Sequence, residues 1–201
     1  MSLGRGRRRR ESKSGGPDPQ EGYTGRTLAW LRVRRAVFRF VLLFALLVSA
    51  FYLLAVLPAY RRFILDPYLT INAAGAATLL RGLGEEVSSR GLSVGGPRFL
   101  MEVGAGCDGI EPSALFAAAV LAFPATLRRK LLGLSAGIPP LLAANFARIL
   151  SLYYAGAHSE KAFDLVHLSL WPPLFVLLVG GLWAVWALRT PEAAPTGDAD
   201  R

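Results

Sequence analysis

The chain has 201 residues, 53% of them hydrophobic and 18% charged, with a formal net charge of +9. Its apolar residues fall in long blocks, which excludes an ordinary soluble domain and marks an integral membrane protein. A single cysteine excludes an intrachain disulfide. Two histidines, with no acidic cluster in the apolar blocks, give no basis for a metal or other cofactor.

In chain order, Met1 to about Gly25 is rich in Arg, Gly, Ser and Pro and cannot bury a core. Composition predicts a disordered, Arg-rich cytoplasmic tail over 1–35, lying against anionic lipid headgroups rather than nucleic acid. The hydrophobic run that follows is too long for a cleavable signal peptide, and no small-residue cleavage site follows it. Four apolar blocks then predict membrane-spanning helices at about 37–57, 110–127, 131–153 and 168–188. Each run reaches roughly 27 Å or more at 1.5 Å per residue, against a hydrocarbon core of about 30 Å. The expected fold class is an all-α integral membrane protein of about four spans over 36–188. A small extracytoplasmic α+β segment joins the first two, and 189–201 forms a disordered cytoplasmic tail.

That segment has internal order. Leu69, Ala73, Ala76, Leu80 and Leu83 recur at helical spacing, while Asn72, Thr78 and Arg81 interrupt the apolar character. The pattern predicts a short helix on or dipping into the membrane, not a fifth span. Phe99, Met101 and Val103 alternate with Leu100 and Glu102 beyond the glycines at 91, 95 and 96, as in a β-hairpin packed over the helices.

Orientation follows from the basic residues. Eleven Lys and Arg precede Phe40, and Arg128, Arg129 and Lys130 fill the turn predicted between the second and third spans. Both places are cytoplasmic by the positive-inside rule, against which Arg61 and Arg62 weigh only slightly. Cys107, Arg148 and His167 then all fall at the outer boundary, although they lie far apart in sequence.

Each of the three has a plain alternative. Cys107 suits a small buried residue at a helix end. Its neighbours Gly104, Gly106 and Gly109 nonetheless permit close substrate approach, and the following helix N-terminus favours a thiolate. Asp108 opposes that effect unless it caps the helix. Arg148 shares a helical face with Asn145, and either snorkels to headgroups or holds an anion in a dry site. His167 is either an interface residue or a proton carrier, with Asp164 and Trp171 on its predicted helical face. His158, in a polar stretch without a helical frame, is a bystander.

Cys107-Asp108-Gly109-Ile110, the basic Arg128-Arg129-Lys130 followed by Leu131-Leu132-Gly133, Asn145-x-x-Arg148-Ile149, and Phe163-Asp164-x-x-His167 before an aromatic-rich last span together resemble the exosortase/archaeosortase family. The stretch around His167 is most similar to exosortase H. The resemblance covers roughly Phe40 to Leu188. Asp108 departs from the commoner Ser or Asn, and the Arg-rich tail is outside the pattern. The resemblance implies a cysteine-type membrane protease and transpeptidase of the bacterial inner membrane, with catalytic Cys107, Arg148 and His167 supported by Asn145 and Asp164. It also implies membrane-anchored protein substrates bearing a C-terminal hydrophobic sorting signal, and an envelope acceptor; no nucleic acid is involved. The rival reading is a non-catalytic membrane assembly or transport subunit, which would tolerate Cys107→Ser. A serine elbow and paired membrane aspartates, the marks of other intramembrane proteases, are missing.

Overall fold

The computed structural model describes residues 19–104, 106 and 108–190, with side chains from Arg34 onward. The chain divides into two compact units, 1–38 and 39–201. Helix α1 (Pro19–Ala55) supplies the described part of the first unit and opens the second. It begins inside the stretch that composition assigned to an unstructured tail. Pro19 suits a first helical turn, and Leu28, Ala29, Leu31 and Arg32 are good helix formers. The rest of that tail, 1–18, lies outside the described residues, as does 191–201.

Four more helices follow. They are α2 (Pro58–Gly82), α3 (Ile110–Ala122), α4 (Leu127–His158) and α5 (Glu160–Leu188). Among the described residues, three segments are long and apolar enough to cross a membrane: Arg34–Ala55 within α1, α2 and α5. The protein is thus a membrane protein with several apolar helices, but the count of four spans does not carry over directly.

The first and last predicted spans coincide with α1 and α5. The second, predicted over 110–127, is the 13-residue α3, about 20 Å long. Pro124 stops it: a residue before proline avoids the helical region, and Phe123 is extended at ψ 140°. The basic residues 128–130 consequently lie in the first turn of α4, not in the connecting turn. The third span, predicted at 131–153, is lengthened to the 32-residue α4, which passes through Pro139 and Pro140 and takes in His158.

Helix α2 is the other difference. Its pattern predicts a short helix on or dipping into the membrane, yet its length and composition suffice for a span. A third of its apolar window is buried inside the protein, against none for α1. That face belongs to protein contacts. Leu69, Ala73, Ala76 and Leu80 are buried as the periodicity predicts, whereas Leu83, the C-cap, is 61% exposed.

The stripe on α2 packs under a three-stranded antiparallel sheet of β1 (Ser88–Arg90), β2 (Ser93–Gly95) and β3 (Leu100–Glu102). Val94 pairs with Ser89 on one side and Met101 on the other. Val94, Met101 and Val103 enter one core with the α2 stripe and Ile149, Leu152 and Tyr153 of α4. Leu100 and Glu102 point outward, as alternation requires. The ring of Phe99 rests where α4 has Gly156, a position at which any Cβ would collide with it. A second core joins α3, α4 and α5 through Phe116, Val120, Leu141, Trp171 and Phe175.

Candidate active site

The segment leading into α3 connects Val103 of the first core to Phe116 of the second. Gly106 has φ 86° and Gly109 φ 73°, left-handed values that cost a residue with a Cβ roughly 1–2 kcal/mol. Gly109 also lies flat against α4, where an added Cβ would sit 2.9 Å from Cβ of Asn145. Between these glycines, Asp108 is 3% exposed. Its Oδ1 accepts from the Ile110 amide at 2.8 Å, which satisfies one orphan donor of the helix start. Burial raises its carboxyl above the ordinary carboxylate value, while the Ile110 and Gly106 amides and the Arg148 charge pull it back. Cys107 itself lies outside the described residues.

Helices α2 and α4 fasten the turn. Tyr68 donates its hydroxyl to the Asp108 carbonyl at 2.9 Å. Asn72, one turn on, donates to the Tyr68 carbonyl at 2.9 Å and accepts from Asn145 Nδ2 at 3.5 Å. From α4, Arg148 Nη1 donates to the Gly106 carbonyl at 2.7 Å, a charge-assisted bond to the residue that precedes Cys107. Arg148 is 7% exposed, so it does not snorkel to the surface. Its guanidinium also lies 5.8 Å from the Phe175 ring centroid, within cation–π range. These partners offset part of the cost of burying it, and α5 braces the same turn of α4: Trp171 Nε1 donates to Ser151 Oγ, which donates to the Arg148 carbonyl.

Two polar atoms here have no partner among the described residues, Asn145 Oδ1 and Arg148 Nε. Buried polar groups are nearly always bonded, so their clustering beside the Gly106–Gly109 turn marks unmet binding capacity there.

His167 sits in a π-helical turn, Leu165–Leu170, a local irregularity that recurs at functional sites. It is half-buried, packs its ring 5.4 Å from that of Phe163, and is within electrostatic reach of both Arg148 and Asp164. Asp164 is exposed. Burial rises along the face predicted for Asp164, His167 and Trp171, from exposed through half-buried to buried. Trp171 is buried against Ser151 and Phe175, not set in an interfacial belt. The structure therefore brings Arg148 and Asn145 to the Gly106–Gly109 turn, with His167 within electrostatic reach of Arg148.

An apolar groove of about 540 Å³ opens from this place. Gly106, Arg148 and Glu111 lie at one end and Phe40, Ala119 and Trp183 at the other. From Glu111 to Ala119 it follows α3 for about 12 Å.

Sequence reading missed Tyr68, Asn72 and Ser151. Asn72 had been taken as a break in the apolar stripe, but its spacing of three from Leu69 and four from Ala76 already placed it on the buried face.

A family model described as transmembrane exosortase (Exosortase_EpsH) matches residues 27–179. No curated protein and no solved structure matches the chain.

Proposed function

The chain belongs to the transmembrane exosortase family, and from that premise we propose that it is a cysteine-type transpeptidase of the bacterial inner membrane. Its substrates are membrane-anchored exported proteins, each cleaved at a C-terminal sorting signal where the chain leaves the bilayer. The observation that carries this reading is the bond from Arg148 to the Gly106 carbonyl. It ties a buried cation to the covalent neighbour of the only cysteine, with His167 within electrostatic reach of the same cation.

In this reading His167 takes the Cys107 thiol proton, and the thiolate attacks the scissile carbonyl carbon. Negative charge moves to the carbonyl oxygen, where Arg148 stabilises it in a water-poor site. The intermediate collapses with cleavage of the C–N bond, and His167 returns its proton to the departing amine. A thioester remains on Cys107. An amine, hydroxyl or water from the envelope then attacks it, losing a proton to His167 as the thiolate leaves. Asn145 orients the turn, and Asp164, three residues before His167, supports it.

The apolar groove fits the hydrophobic part of the signal, since it ends at Gly106 and Arg148 and is otherwise walled by α1, α3 and α5. The arrangement also suits a bilayer. From Arg129 to Arg148 helix α4 rises about 28 Å, close to the hydrocarbon thickness of about 30 Å. With the basic α4 start and the N-terminus on the cytoplasmic side, the site faces outward.

Labelling intact cells with a membrane-impermeant maleimide tests this placement, because Cys107 is the only target in the chain. Labelling from outside, slowed in Arg148→Ala, is the expected result. Labelling only after the inner face is opened overturns the orientation.

A further inference from the structure

At the end of α4 away from Arg148, a second crevice of about 290 Å³ opens between α4 and α5. Trp186 and Phe116 lie directly against α4 at two of its glycines and form the crevice's aromatic floor. At Gly133 a Cβ would strike the Trp186 indole, and at Gly137 it would strike the Phe116 ring. Ala136, Leu182 and Val185 make the walls apolar, and Arg129 and Arg189 stand in the lining. These two cations come from the start of one helix and the end of the other. They are drawn together by an Arg129 Nη1 bond to the Arg189 carbonyl at 3.4 Å, while Trp186 Nε1 donates to the Arg129 carbonyl at 3.3 Å.

Among the described residues, the charge at this end is unbalanced. Lys130 is committed, its Nζ donating to the Leu121 carbonyl at 2.6 Å. The ion pairs found among the described residues, Arg61 with Asp66 and Arg98 with Glu85, include neither Arg129 nor Arg189. A guanidinium offers five donors in a fork that matches phosphate oxygens, and Arg129 spends one of them on Arg189. A purely apolar occupant would leave both cations without an anionic partner. A free anion would leave the apolar walls bare. One molecule that satisfies both is an amphiphile with an anionic head.

We propose that this crevice binds an anionic phospholipid, its phosphate on Arg129 and Arg189 and part of one acyl chain along Gly133, Ala136 and Val185. The site is about 28 Å along α4 from Arg148, and the proposal does not depend on the protein's being a transpeptidase. Bound there, the lipid clasps the first turn of α4 to the last turn of α5, the two helices that carry Arg148 and His167.

The test is thermal unfolding of the full chain in an uncharged detergent, with added phosphatidylglycerol, phosphatidylcholine or inorganic phosphate. A ligand held at about 100 times its Kd raises the folded-to-unfolded ratio about 100-fold. Phosphatidylglycerol is expected to give such an increment over phosphatidylcholine, and inorganic phosphate none. The pair Arg129→Gln with Arg189→Gln loses the increment. Ala136→Trp, which fills the crevice and keeps both cations, loses it as well. Arg34→Gln with Arg35→Gln, which removes the same charge elsewhere, retains it. Equal response to the two lipids in the unsubstituted chain, or a full increment in Ala136→Trp, overturns the proposal. So does inorganic phosphate matching phosphatidylglycerol. If neutralising Glu192, Asp198 and Asp200 lowers the lipid-free midpoint and leaves both lipids equal, the cations serve the chain's own C-terminal residues instead, and the lipid assignment fails.

Discussion

Gly109→Ala isolates the contribution of the turn beside Cys107, because the chain contains its own control. Gly109 and Gly91 both have positive φ, 73° and 58°, so alanine incurs left-handed strain of roughly 1–2 kcal/mol at either position. Alanine also restricts the unfolded chain, which returns about 0.4–1 kcal/mol and leaves a net loss near 1 kcal/mol. The two sites differ in their surroundings. A Cβ at Gly91 meets nothing within 4 Å, whereas at Gly109 it meets Asn145 Cβ at 2.9 Å and Cγ at 3.1 Å. Asn145 is fully buried and bonded toward Asn72, so it has little room to yield. Overpacking of this kind costs a further ~1–3 kcal/mol. At roughly 2–4 °C per kcal/mol for a chain of this size, Gly91→Ala melts about 2–4 °C lower and Gly109→Ala about 4–16 °C lower.

The functional consequence is larger. Relief of the clash moves the turn between Gly106 and Asp108, and a displacement near 1 Å at a reacting group costs about 100-fold in rate. The assay is cleavage of a co-expressed membrane reporter bearing a C-terminal sorting signal, beside melting curves of both variants in detergent. Gly91→Ala should process the reporter normally. If Gly109→Ala melts with Gly91→Ala and processes as fast, the turn is not held as described, and its part in placing Cys107 fails with it.

Three further outcomes follow from the same geometry. Arg148→Lys, which keeps charge but loses the guanidinium fork, should lower processing by about 100-fold or more while the protein still inserts, read by reporter cleavage against membrane abundance. Trp171→Phe removes the 2.9 Å bond to Ser151 and should cost about 1 kcal/mol of stability, measured by denaturant or thermal unfolding. Asp108 supplies a pH signature. Its folded-state pKa is raised by burial, so folding favours the protonated acid, and stability falls as pH rises from the unfolded value toward the folded one. Asp108→Asn keeps an acceptor for the Ile110 amide without that loss, so its melting point relative to the parent chain should climb across the weakly acidic range and then level off. A flat difference between pH 4 and 7 would refute the burial argument.

The parts legible in the sequence are those fixed by local rules. Periodicity found the buried face of α2 from Leu69 to Leu80, and alternation found the strand at Met101 with its neighbours facing outward. The shared face of Asn145 and Arg148 followed from helical spacing alone, and both residues are buried together. What was misread depended on competition between rules. Apolar content carried the second span to residue 127, but Pro124 ended the helix first, and the basic residues after it joined α4. The π-helical turn at Leu165–Leu170 has no pattern in the sequence, and neither has the bond from Trp171 to Ser151 of α4. Tyr68 was invisible because its bond to the Asp108 carbonyl joins residues 40 apart, and no local spacing encodes such a contact.

The central claim is that Cys107 forms an acyl-enzyme with the substrate it cleaves. The direct measurement is intact-mass analysis of the purified protein after co-expression with the reporter, with and without hydroxylamine, for the parent chain and for Cys107→Ala. The account predicts a substrate-derived mass on the parent chain that hydroxylamine removes, and neither adduct nor cleavage in Cys107→Ala at equal membrane abundance. Reporter cleavage at the parental rate in Cys107→Ala would contradict it, because cleavage would then proceed without the Cys107 thioester.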